Sequence, residues 1–320
     1  MEANNPGRLC KSPPDRLWDT IVVGGGPAGL SAALVLGRCR RTVLLFDHGK
    51  PRNAVSRALH GFLGSDGIDP ARLREVALAQ LAPYPLVVVR KARVVGARRT
   101  ESGFAVETGD GQRFRSRKLL LAAGVVDDLP DIPGFRQLYG AGVFHCPYCD
   151  GWEIQDQPLA VYGRHDDKGG GLSLEMMQWS RDVVLCSDGP AELSADCRAR
   201  LDRHGITVRE EKILRLDVTS DVPHRAAFAV VFESGPALPR GALFFNTGRH
   251  QSTDLAKSLG CDTYDPKGCA VDRRTQMTHV PGLYVAGDAS RDVLQVVVAA
   301  AEGAEAAMAI NTALLHEDLT

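Results

Sequence analysis

One stretch near the start of the chain restricts the fold more than any other. Residues 19–47, DTIVVGGGPAGLSAALVLGRCRRTVLLFD, have the pattern of a strand, a glycine-rich turn, a helix and a second strand. Gly24, Gly26 and Gly29 have the G-x-G-x-x-G spacing, and the second strand ends at Asp47, 23 residues after Gly24. This combination predicts a doubly wound α/β domain with a dinucleotide site. The alternative is a glycine-rich turn in an unrelated α/β fold.

Each residue of this motif has a physical role in binding a pyrophosphate. Gly24 permits the tight turn, and Gly26 lets backbone N–H groups approach the phosphates at the positive end of the helix. Gly29 allows the helix to pack closely on the strand, and Asp47 is placed to bond a ribose hydroxyl.

The rest of the chain predicts a second α/β unit. Residues 86–121 alternate between apolar and polar positions, which favours an antiparallel meander that returns to the buried strand KLLLAAG. Residues 122–134 are rich in Pro, Gly and Asp and read as a linker. Strands and helices then alternate to about residue 240. The chain closes with the strand GLYVAGDASR and the apolar helix LQVVVAAAEGAEAAMAINTALL.

Composition excludes several function classes. The 320 residues are 44% hydrophobic, enough for about two domains, and the net charge of −1 argues against a nucleic-acid-binding surface. We expect no transmembrane segment, because no apolar run reaches about 20 residues. The polar, proline-broken N-terminus lacks a signal-peptide core, so residues 1–16 are interpreted as a flexible tail on a cytoplasmic protein.

The segment FHCPYCDGWE places Cys146 and Cys149 two residues apart. A four-cysteine zinc site needs a second pair, and Cys261 and Cys269 are too far apart in the sequence to provide one. A purely structural disulfide across two residues gains little from loop closure. A redox-active dithiol is therefore the favoured interpretation. The scattered cysteines are expected to be plain thiols: Cys10, Cys39, Cys186, Cys197, Cys261 and Cys269.

Four motifs together resemble the low-molecular-weight thioredoxin reductase family of FAD-dependent pyridine nucleotide-disulfide oxidoreductases. They are GGGPAGLSAAL, LLLAAG, CPYCDGWE and GLYVAGDA followed by QVVVAAAEGAEAA, from about residue 17 to the end. The sequence of the CPYCDGW motif resembles that of the branch with thioredoxin-reductase-like proteins and dithiol oxidases. The resemblance implies an α/β fold of two doubly wound, Rossmann-like, three-layer ββα domains. The FAD domain would comprise residues 17–128 and 241–320, with a redox domain, 129–240, inserted into it.

The resemblance also implies roles for individual residues. Cys149 would exchange electrons with the flavin and Cys146 with the dithiol partner, while Asp150 would donate and accept protons. His145 would assist or be merely structural, and Trp152 would serve packing. The implied FAD-binding residues are Gly24, Gly26, Pro27, Ala28, Asp47, Gly124, Gly287, Asp288, Gln295 and Val296.

The inserted domain departs from the family at its NADPH turn, VYGRHDDKGGGLSLEMM. Gly163 is in place, but His165 and Lys168 stand where glycines are needed, and the carboxylates of residues 166–167 would repel phosphate. The sequence SDG at 187–189 replaces the basic cluster for a 2′-phosphate. Arg164 and Lys168 remain as possible phosphate contacts.

These features predict an enzyme that exchanges electrons between FAD and the Cys146–Cys149 pair, with an impaired NADPH site. Thiols, ferredoxin or a second flavin would then donate or accept electrons, and a thioredoxin-like protein or a small-molecule dithiol or disulfide would be the partner. The alternatives are an ordinary NADPH-dependent thioredoxin reductase, a small-molecule dithiol oxidase using oxygen, and a non-enzymatic flavin-binding redox sensor. A homodimer is expected from the resemblance.

Overall fold

The computed structural model describes residues 16–222, 225–264, 268–290 and 293–320. It contains two compact units: unit 1 comprises residues up to 54, 71–126 and 250–320, and unit 2 comprises 55–70 and 127–249. Residues 55–70 and 241–249 thus group with unit 2, whereas the sequence placed them in the FAD domain. The tail expected over the first residues, with Cys10, lies outside the described residues, except for Arg16.

Strands and helices alternate in parts of the chain, whereas strands follow one another without a helix from residue 87 to 127 and from 207 to 251. The strands are β1 Leu17–Val23, β2 Val43–Asp47, β3 Val87–Lys91, β4 Val94–Thr100, β5 Gly103–Thr108, β6 Arg113–Leu121, β7 Val125–Asp127, β8 Val143–Phe144, β9 Leu159–Tyr162, β10 Val183–Cys186, β11 Thr207–Arg209, β12 Ile213–Val222, β13 Arg225–Phe232, β14 Leu238–Arg240, β15 Ala242–Phe245, β16 Arg249–Gln251, β17 Thr263–Tyr264, β18 Gly268–Cys269 and β19 Leu283–Val285. The helices are α1 Pro27–Arg38, α2 Pro70–Leu81, α3 Phe135–Leu138, α4 Pro147–Asp150, α5 Leu172–Met176, α6 Ala195–Arg203, α7 Leu255–Ser258 and α8 Val296–Leu319. A 3-10 turn covers Arg52–Val55 and a π-helical turn covers His165–Gly171.

Unit 1 is built on a seven-stranded sheet with the order β3-β2-β1-β6-β5-β4, in which β19 also pairs with β6. Strands β3, β2, β1, β6 and β19 run parallel, and β4, β5 and β6 form an antiparallel meander. The sequence predicted both features. The five residues of β2 are all buried, as a parallel strand covered on both faces requires.

Helices α1 and α8 pack on one face of this sheet, in one apolar cluster with buried Leu36, Ile310 and Leu314. A β-carbon on Gly303 would lie 2.0 Å from the Ala28 carbonyl oxygen, so only glycine allows this close contact. By length and composition alone α8 would span a membrane, contrary to the expectation from the sequence. Of its most apolar stretch, 33% is buried, and α8 packs against α1.

Unit 2 repeats this architecture. Its five-stranded sheet, β11-β10-β9-β15-β8, is entirely parallel, and β12-β13-β14 form a separate antiparallel sheet. Phe135, Phe228 and Phe245 are fully buried in the cluster that joins the two sheets. The doubly wound α/β fold predicted from the sequence is therefore confirmed in both units.

The expectation of plain thiols is confirmed for Cys261 and Cys269, which are free and buried in one apolar cluster of unit 1. Although they are eight residues apart in the sequence, the two thiols are close enough to shift each other's pKa. The short hairpin of β17 and β18 brings them together, and local sequence pattern did not reveal it.

Candidate active site

The first glycine turn, Gly24–Gly29, lies between β1 and α1 and is tightly packed at both ends. Gly24 has φ +115°, and a β-carbon there would lie 2.1 Å from the Ala122 carbonyl oxygen. A β-carbon on Gly29 would lie 1.9 Å from the Gly24 carbonyl oxygen. Neither position accepts a side chain, which matches the turning and packing roles predicted for these glycines.

The middle of the same turn is open. A β-carbon on Gly26 would meet no atom within 4 Å, and α1 begins at the next residue with no side-chain cap. The N–H groups of the first helical turn therefore have no side-chain acceptor at this end of the helix. An open, uncapped helix N-terminus beside a glycine fits the pyrophosphate of a dinucleotide such as FAD.

Asp47 lies beside this turn at the end of β2. Its carboxylate accepts a hydrogen bond of 2.8 Å from the Gly49 N–H and forms an ion pair with Arg74. A β-carbon on Gly25 would lie 2.4 Å from the Asp47 carboxyl carbon, so the acid directly adjoins the glycine turn. The sequence predicted the place of Asp47 but not its partner Arg74, which comes from α2.

The Gly287–Asp288 loop also adjoins the turn. Gly287 has φ +80°, and a β-carbon there would lie 3.0 Å from the Ala28 β-carbon. Its N–H donates a 2.7 Å hydrogen bond to the buried carboxylate of Glu302, which also accepts from the Ser290 hydroxyl at 3.0 Å. The structure thus places Gly287 directly against Ala28, two residues after Gly26.

Two residues that hold this loop in place were not predicted from the sequence. Glu302 is 1% exposed on α8, and Arg52 donates to the Asp288 carboxylate at 3.1 Å. The signal for Glu302 was present, since a lone acid in the apolar stretch VVVAAAEGA needs a buried polar partner. Arg52 gave no such signal.

The remaining implied cofactor residues lie at element ends in unit 1. Gln295 is the extended N-cap of α8, and Val296 is its first residue. Gly124 has φ +71° and follows β6, where its carbonyl accepts a 3.2 Å hydrogen bond from the Ser252 N–H.

The Cys146–Cys149 pair in unit 2 is a disulfide, with the two α-carbons 5.3 Å apart. Cys146 has extended backbone geometry and caps the short helix α4, which carries Cys149 and Asp150. Tyr148 is 73% exposed and Trp152 is 70% exposed, so the interpretation of Trp152 as a packing residue is wrong. The disulfide is therefore flanked by two exposed aromatic side chains.

Asp150 has an acidity suited to proton transfer near neutral pH. Burial raises the pKa of its carboxyl to about 7, with a further contribution from the Glu153 carboxylate, while His60 opposes the shift. The His60 ring also lies 3.4 Å from a Glu153 carboxylate oxygen. The sequence singled out Asp150 but missed both neighbours, of which His60 comes from the distant segment 55–70.

His145 is oriented by a polar chain that the sequence did not predict. The Tyr139 hydroxyl donates to the Asp127 carboxylate at 2.6 Å and lies 3.0 Å from His145 Nδ1. Because the single hydroxyl proton goes to Asp127, Nδ1 of a neutral imidazole must be the donor to the tyrosine oxygen. Nε2 is then the basic nitrogen, in a residue adjacent to Cys146.

At the second glycine turn, after β9, backbone atoms of the turn itself pack closely against the first glycine. A β-carbon on Gly163 would lie 2.4 Å from the Lys168 carbonyl oxygen, so the chain folds back over this glycine. The following residues form the π-helical turn His165–Gly171. His165 has φ +63°, and its N–H donates to the Ala191 carbonyl at 2.8 Å.

Side chains tie this turn down further. Arg164 donates through Nε to the Ser187 carbonyl at 2.8 Å and through Nη2 to the Asp188 carbonyl. Its guanidinium would lie 2.9 Å from a β-carbon on Gly189. The Asp166 carboxylate accepts from the Ser194 N–H at 2.8 Å. Arg164, a possible phosphate contact, is thus engaged by backbone carbonyls.

Comparison with known proteins agrees with this geometry. Residues 18–304 match the family described as pyridine nucleotide-disulphide oxidoreductase. A probable thioredoxin reductase of Arthroderma benhamiae is 31% identical, over 87% of this chain and 76% of that protein. Thioredoxin reductase sirT of Leptosphaeria maculans is 28% identical over 95% and 96%. A putative thioredoxin reductase TrxB from Bacillus anthracis superposes with a TM-score of 0.87 at 33% identity, covering 94% of this chain and 99% of that one.

The chain belongs to the pyridine nucleotide-disulphide oxidoreductase family. Within that family it is a thioredoxin-reductase-like, FAD-dependent disulfide oxidoreductase, as the sequence motifs predicted.

Proposed function

We propose that this enzyme oxidises dithiols through the Cys146–Cys149 pair, passes the electrons to FAD and from the reduced flavin to an external acceptor such as oxygen, and has lost efficient use of NADPH. The observation that carries this proposal is the second glycine turn, where the His165 N–H already donates to the Ala191 carbonyl and Arg164 is bonded to two further carbonyls. An NADPH pyrophosphate needs open backbone N–H groups at that place.

The residues of unit 1 fit FAD. The open position at Gly26, the uncapped start of α1 and the adjoining Gly287–Asp288 loop form a cradle for a pyrophosphate and its flanking ribityl chain. When bound, the flavin supplies a two-electron acceptor. Asp47, Gly124, Gln295 and Val296 complete the proposed cofactor site.

The disulfide chemistry follows from the bonded state of the pair. A substrate thiolate attacks Cys146 Sγ, the Cys146–Cys149 bond breaks, and Cys149 leaves as a thiolate. The second substrate thiol then attacks the substrate sulfur of the mixed disulfide, which releases Cys146 as a thiolate. The substrate becomes a disulfide, and its two electrons reside in the reduced cysteine pair for transfer to the flavin.

Two residues are placed to take the substrate protons. Nε2 of His145 is the basic nitrogen of a ring held by Tyr139, and it lies on the residue that precedes Cys146. Asp150 follows Cys149 directly, and its pKa of about 7 allows it to accept a proton above neutral pH and return it below. The exposed Tyr148 and Trp152 offer apolar contact to a cyclic small-molecule dithiol or to a thioredoxin-like protein.

The proposed loss of NADPH affinity can be estimated from the hydrogen bonds that must break when the second turn opens. Opening the second turn would break the hydrogen bonds from Arg164 to two carbonyls, and charged hydrogen bonds contribute about 1.5–3 kcal/mol each. A loss of about 3 kcal/mol weakens binding roughly 100-fold. The Asp166 carboxylate at the turn adds repulsion toward a phosphate.

A second candidate function is an ordinary NADPH-dependent thioredoxin reductase. The names of the similar proteins favour it, since they are thioredoxin reductases of matching length. In that case Lys168 and Arg164 would rearrange around the phosphates. We further propose a homodimer in the cytoplasm; light scattering of the purified protein and fractionation of cells that contain it test these two points.

Anaerobic titration of the flavoprotein tests the proposed relay. Dithiothreitol should bleach the flavin absorbance of the native enzyme, and Cys146→Ser should react far more slowly because the attacked sulfur is gone. Cys149→Ser should block transfer to the flavin, whereas the matched control Cys39→Ser, an exposed thiol, should behave as the native enzyme does. Normal bleaching in either active-site variant would contradict the proposal.

A further inference from the structure

A second pair of cysteines lies in unit 1 on one face of a short hairpin. Strands β17 and β18 pair with Thr263 opposite Cys269, and the Ala270 N–H donates to the Asp262 carbonyl at 2.9 Å. Cys261 lies two residues before Thr263, so it falls on the same face of the ladder as Cys269. The two side chains are therefore diagonal neighbours across the hairpin.

Both thiols are sheltered and interact directly. Cys261 is 6% exposed and Cys269 is 2% exposed, within the apolar cluster of unit 1. Each thiol shifts the other's pKa: Cys269 lowers the pKa of Cys261, and Cys261 together with burial raises the pKa of Cys269. Cys261 is thus the thiol that ionises first, which makes it the nucleophile of the pair.

The hairpin supports the loop that carries Gly287 and Asp288. The Cys269 N–H donates to the Ala289 carbonyl at 2.8 Å, and the Gln251 side-chain amide donates to the same oxygen at 3.2 Å. Gly268 has φ +95°, and a β-carbon there would lie 2.4 Å from that oxygen. Movement of the hairpin must therefore move the 287–290 loop.

We propose that Cys261 and Cys269 form a second redox site, which closes to a disulfide and fixes the hairpin that supports the Gly287–Asp288 loop. The oxidant is a small-molecule disulfide such as glutathione disulfide, admitted by local opening of the two-residue strands. The Cys261 thiolate attacks one sulfur of the oxidant and releases one thiol. Cys269 then attacks the Cys261 sulfur of the mixed disulfide and releases the second. Two electrons pass to the oxidant, and both protons end on the released thiols.

The bond itself is tested by peptide mapping, independently of any flavin. Trypsin cleaves after Lys257, Lys267 and Arg273, so the two cysteines fall in separate peptides, 258–267 and 268–273. In a Cys146→Ser, Cys149→Ser background, glutathione disulfide should join these peptides into one species two hydrogens lighter than their sum. Adding Cys269→Ser should abolish that species. Oxidation that leaves both peptides separate, or joins either one to a different cysteine, would overturn the proposal.

The coupling to the loop rests on the proposed FAD position and has its own readout. In the same background, oxidation should raise Tm by roughly 2–5 °C and slow flavin release at least about threefold, because the disulfide restrains the hairpin. Cys269→Ser should show neither change on oxidation. If the linked peptides form and Tm rises while flavin release is unchanged, the coupling to the loop is refuted and the redox site stands. If the linked peptides form and neither Tm nor flavin release changes, the idea that the disulfide restrains the hairpin is refuted as well.

Discussion

The two units have the same architecture, yet their glycine turns differ in what fills them. In unit 1, a β-carbon on Gly26 would meet nothing within 4 Å, at the start of an uncapped helix. In unit 2, His165 stands at the position that corresponds to Gly26, and its N–H donates to the Ala191 carbonyl at 2.8 Å, while Arg164 bonds the carbonyls that follow β10. Two turns that are both rich in glycine thus present an open position at an uncapped helix start in one unit and a hydrogen-bonded backbone in the other.

The difference shows that the number of glycines matters less than their positions. Gly169, Gly170 and Gly171 come after the place where the backbone must approach a phosphate, and His165 occupies that place with φ +63°. Gly170 is used instead for packing, because a β-carbon there would lie 2.2 Å from the Cys197 sulfur. In the proposed function, the chemistry of unit 2 lies at the cysteine pair rather than at the turn.

The largest expected effect comes from filling the open turn. Gly26→Val should fold, since Gly26 has ordinary negative φ and open space, but its side chain would occupy the proposed phosphate position. We expect FAD affinity to fall about 100-fold or more, through loss of about 3 kcal/mol of charged hydrogen bonds. Flavin fluorescence after gel filtration measures it.

The matched control is Gly171→Ala in the closed turn, where a β-carbon would lie 3.2 Å from the Asp166 carbonyl oxygen. It should leave flavin content unchanged. A folded Gly26→Val protein with full flavin would show that the open turn is not the cofactor site.

The second effect concerns the chemistry that unit 2 retains. Asp150→Asn should slow dithiol oxidation about 100-fold, the usual contribution of a positioned general base. The native rate should rise with pH through about 7, because the carboxylate is the base and exists above its pKa. Stopped-flow rates from pH 5.5 to 8.5, an interval of roughly 1.5 units either side of that pKa, measure both.

Two neighbours of Asp150 should move this profile in opposite directions. Glu153→Gln removes a repelling charge and should shift the inflection to lower pH, whereas His60→Asn removes an attracting charge and should shift it to higher pH. Folding raises the Asp150 pKa above its ordinary 3.8, so this group favours the native state at low pH and ceases to do so as pH rises through about 7. Shifts of the rate profile in the same direction would contradict this electrostatic account.

A smaller effect is expected from opening the closed turn. Arg164→Ala combined with His165→Gly removes the guanidinium bonds and the side chain at the close-approach position. We expect NADPH binding to strengthen about tenfold rather than about 100-fold, because the same change also removes Arg164 as a possible phosphate contact. Titration calorimetry measures it, and unchanged or weaker binding would mean that another feature closes the site.

The smallest effect is predicted for the cap of α6. The Ser194 hydroxyl accepts from the Cys197 N–H at 3.1 Å, and Ser194→Ala should cost about 1 kcal/mol of stability, or about 2 °C in Tm. It should leave NADPH binding unchanged, because Arg164 rather than this cap closes the turn. Stronger NADPH binding in Ser194→Ala would show that this cap, and not Arg164 alone, closes the turn.

The sequence predicted those features that local pattern encodes. The strand, turn and helix around Gly26, the meander ending in β6 and the long helix α8 all follow from periodicity and glycine spacing. The sequence also showed His165 at a position where the second turn needs a glycine. The partners of Asp150, His145 and Gly287 were not, because His60, Tyr139 and Glu302 reach them only through tertiary packing.

The boundaries of the two units and the proximity of the second cysteine pair were not visible in the sequence, for the same reason. The sequence of strand β15 is compatible with the sheet of either unit, and only its pairing with β8 and β9 assigns it to unit 2. Cys261 and Cys269 approach through a hairpin whose strands have two residues each, too short for an alternating pattern. Long-range pairing of this kind leaves no signature in one sequence.

Anaerobic stopped-flow mixing of the native flavoprotein tests the difference between the two turns most directly. One syringe carries stoichiometric NADPH, and a parallel experiment uses a dithiol at the same concentration, both followed at the flavin absorbance band. The account predicts slow or absent bleaching by NADPH and faster, complete bleaching by the dithiol, which is lost in Cys149→Ser. Rapid and complete bleaching by stoichiometric NADPH would show that the second turn opens for nucleotide, and would contradict the account.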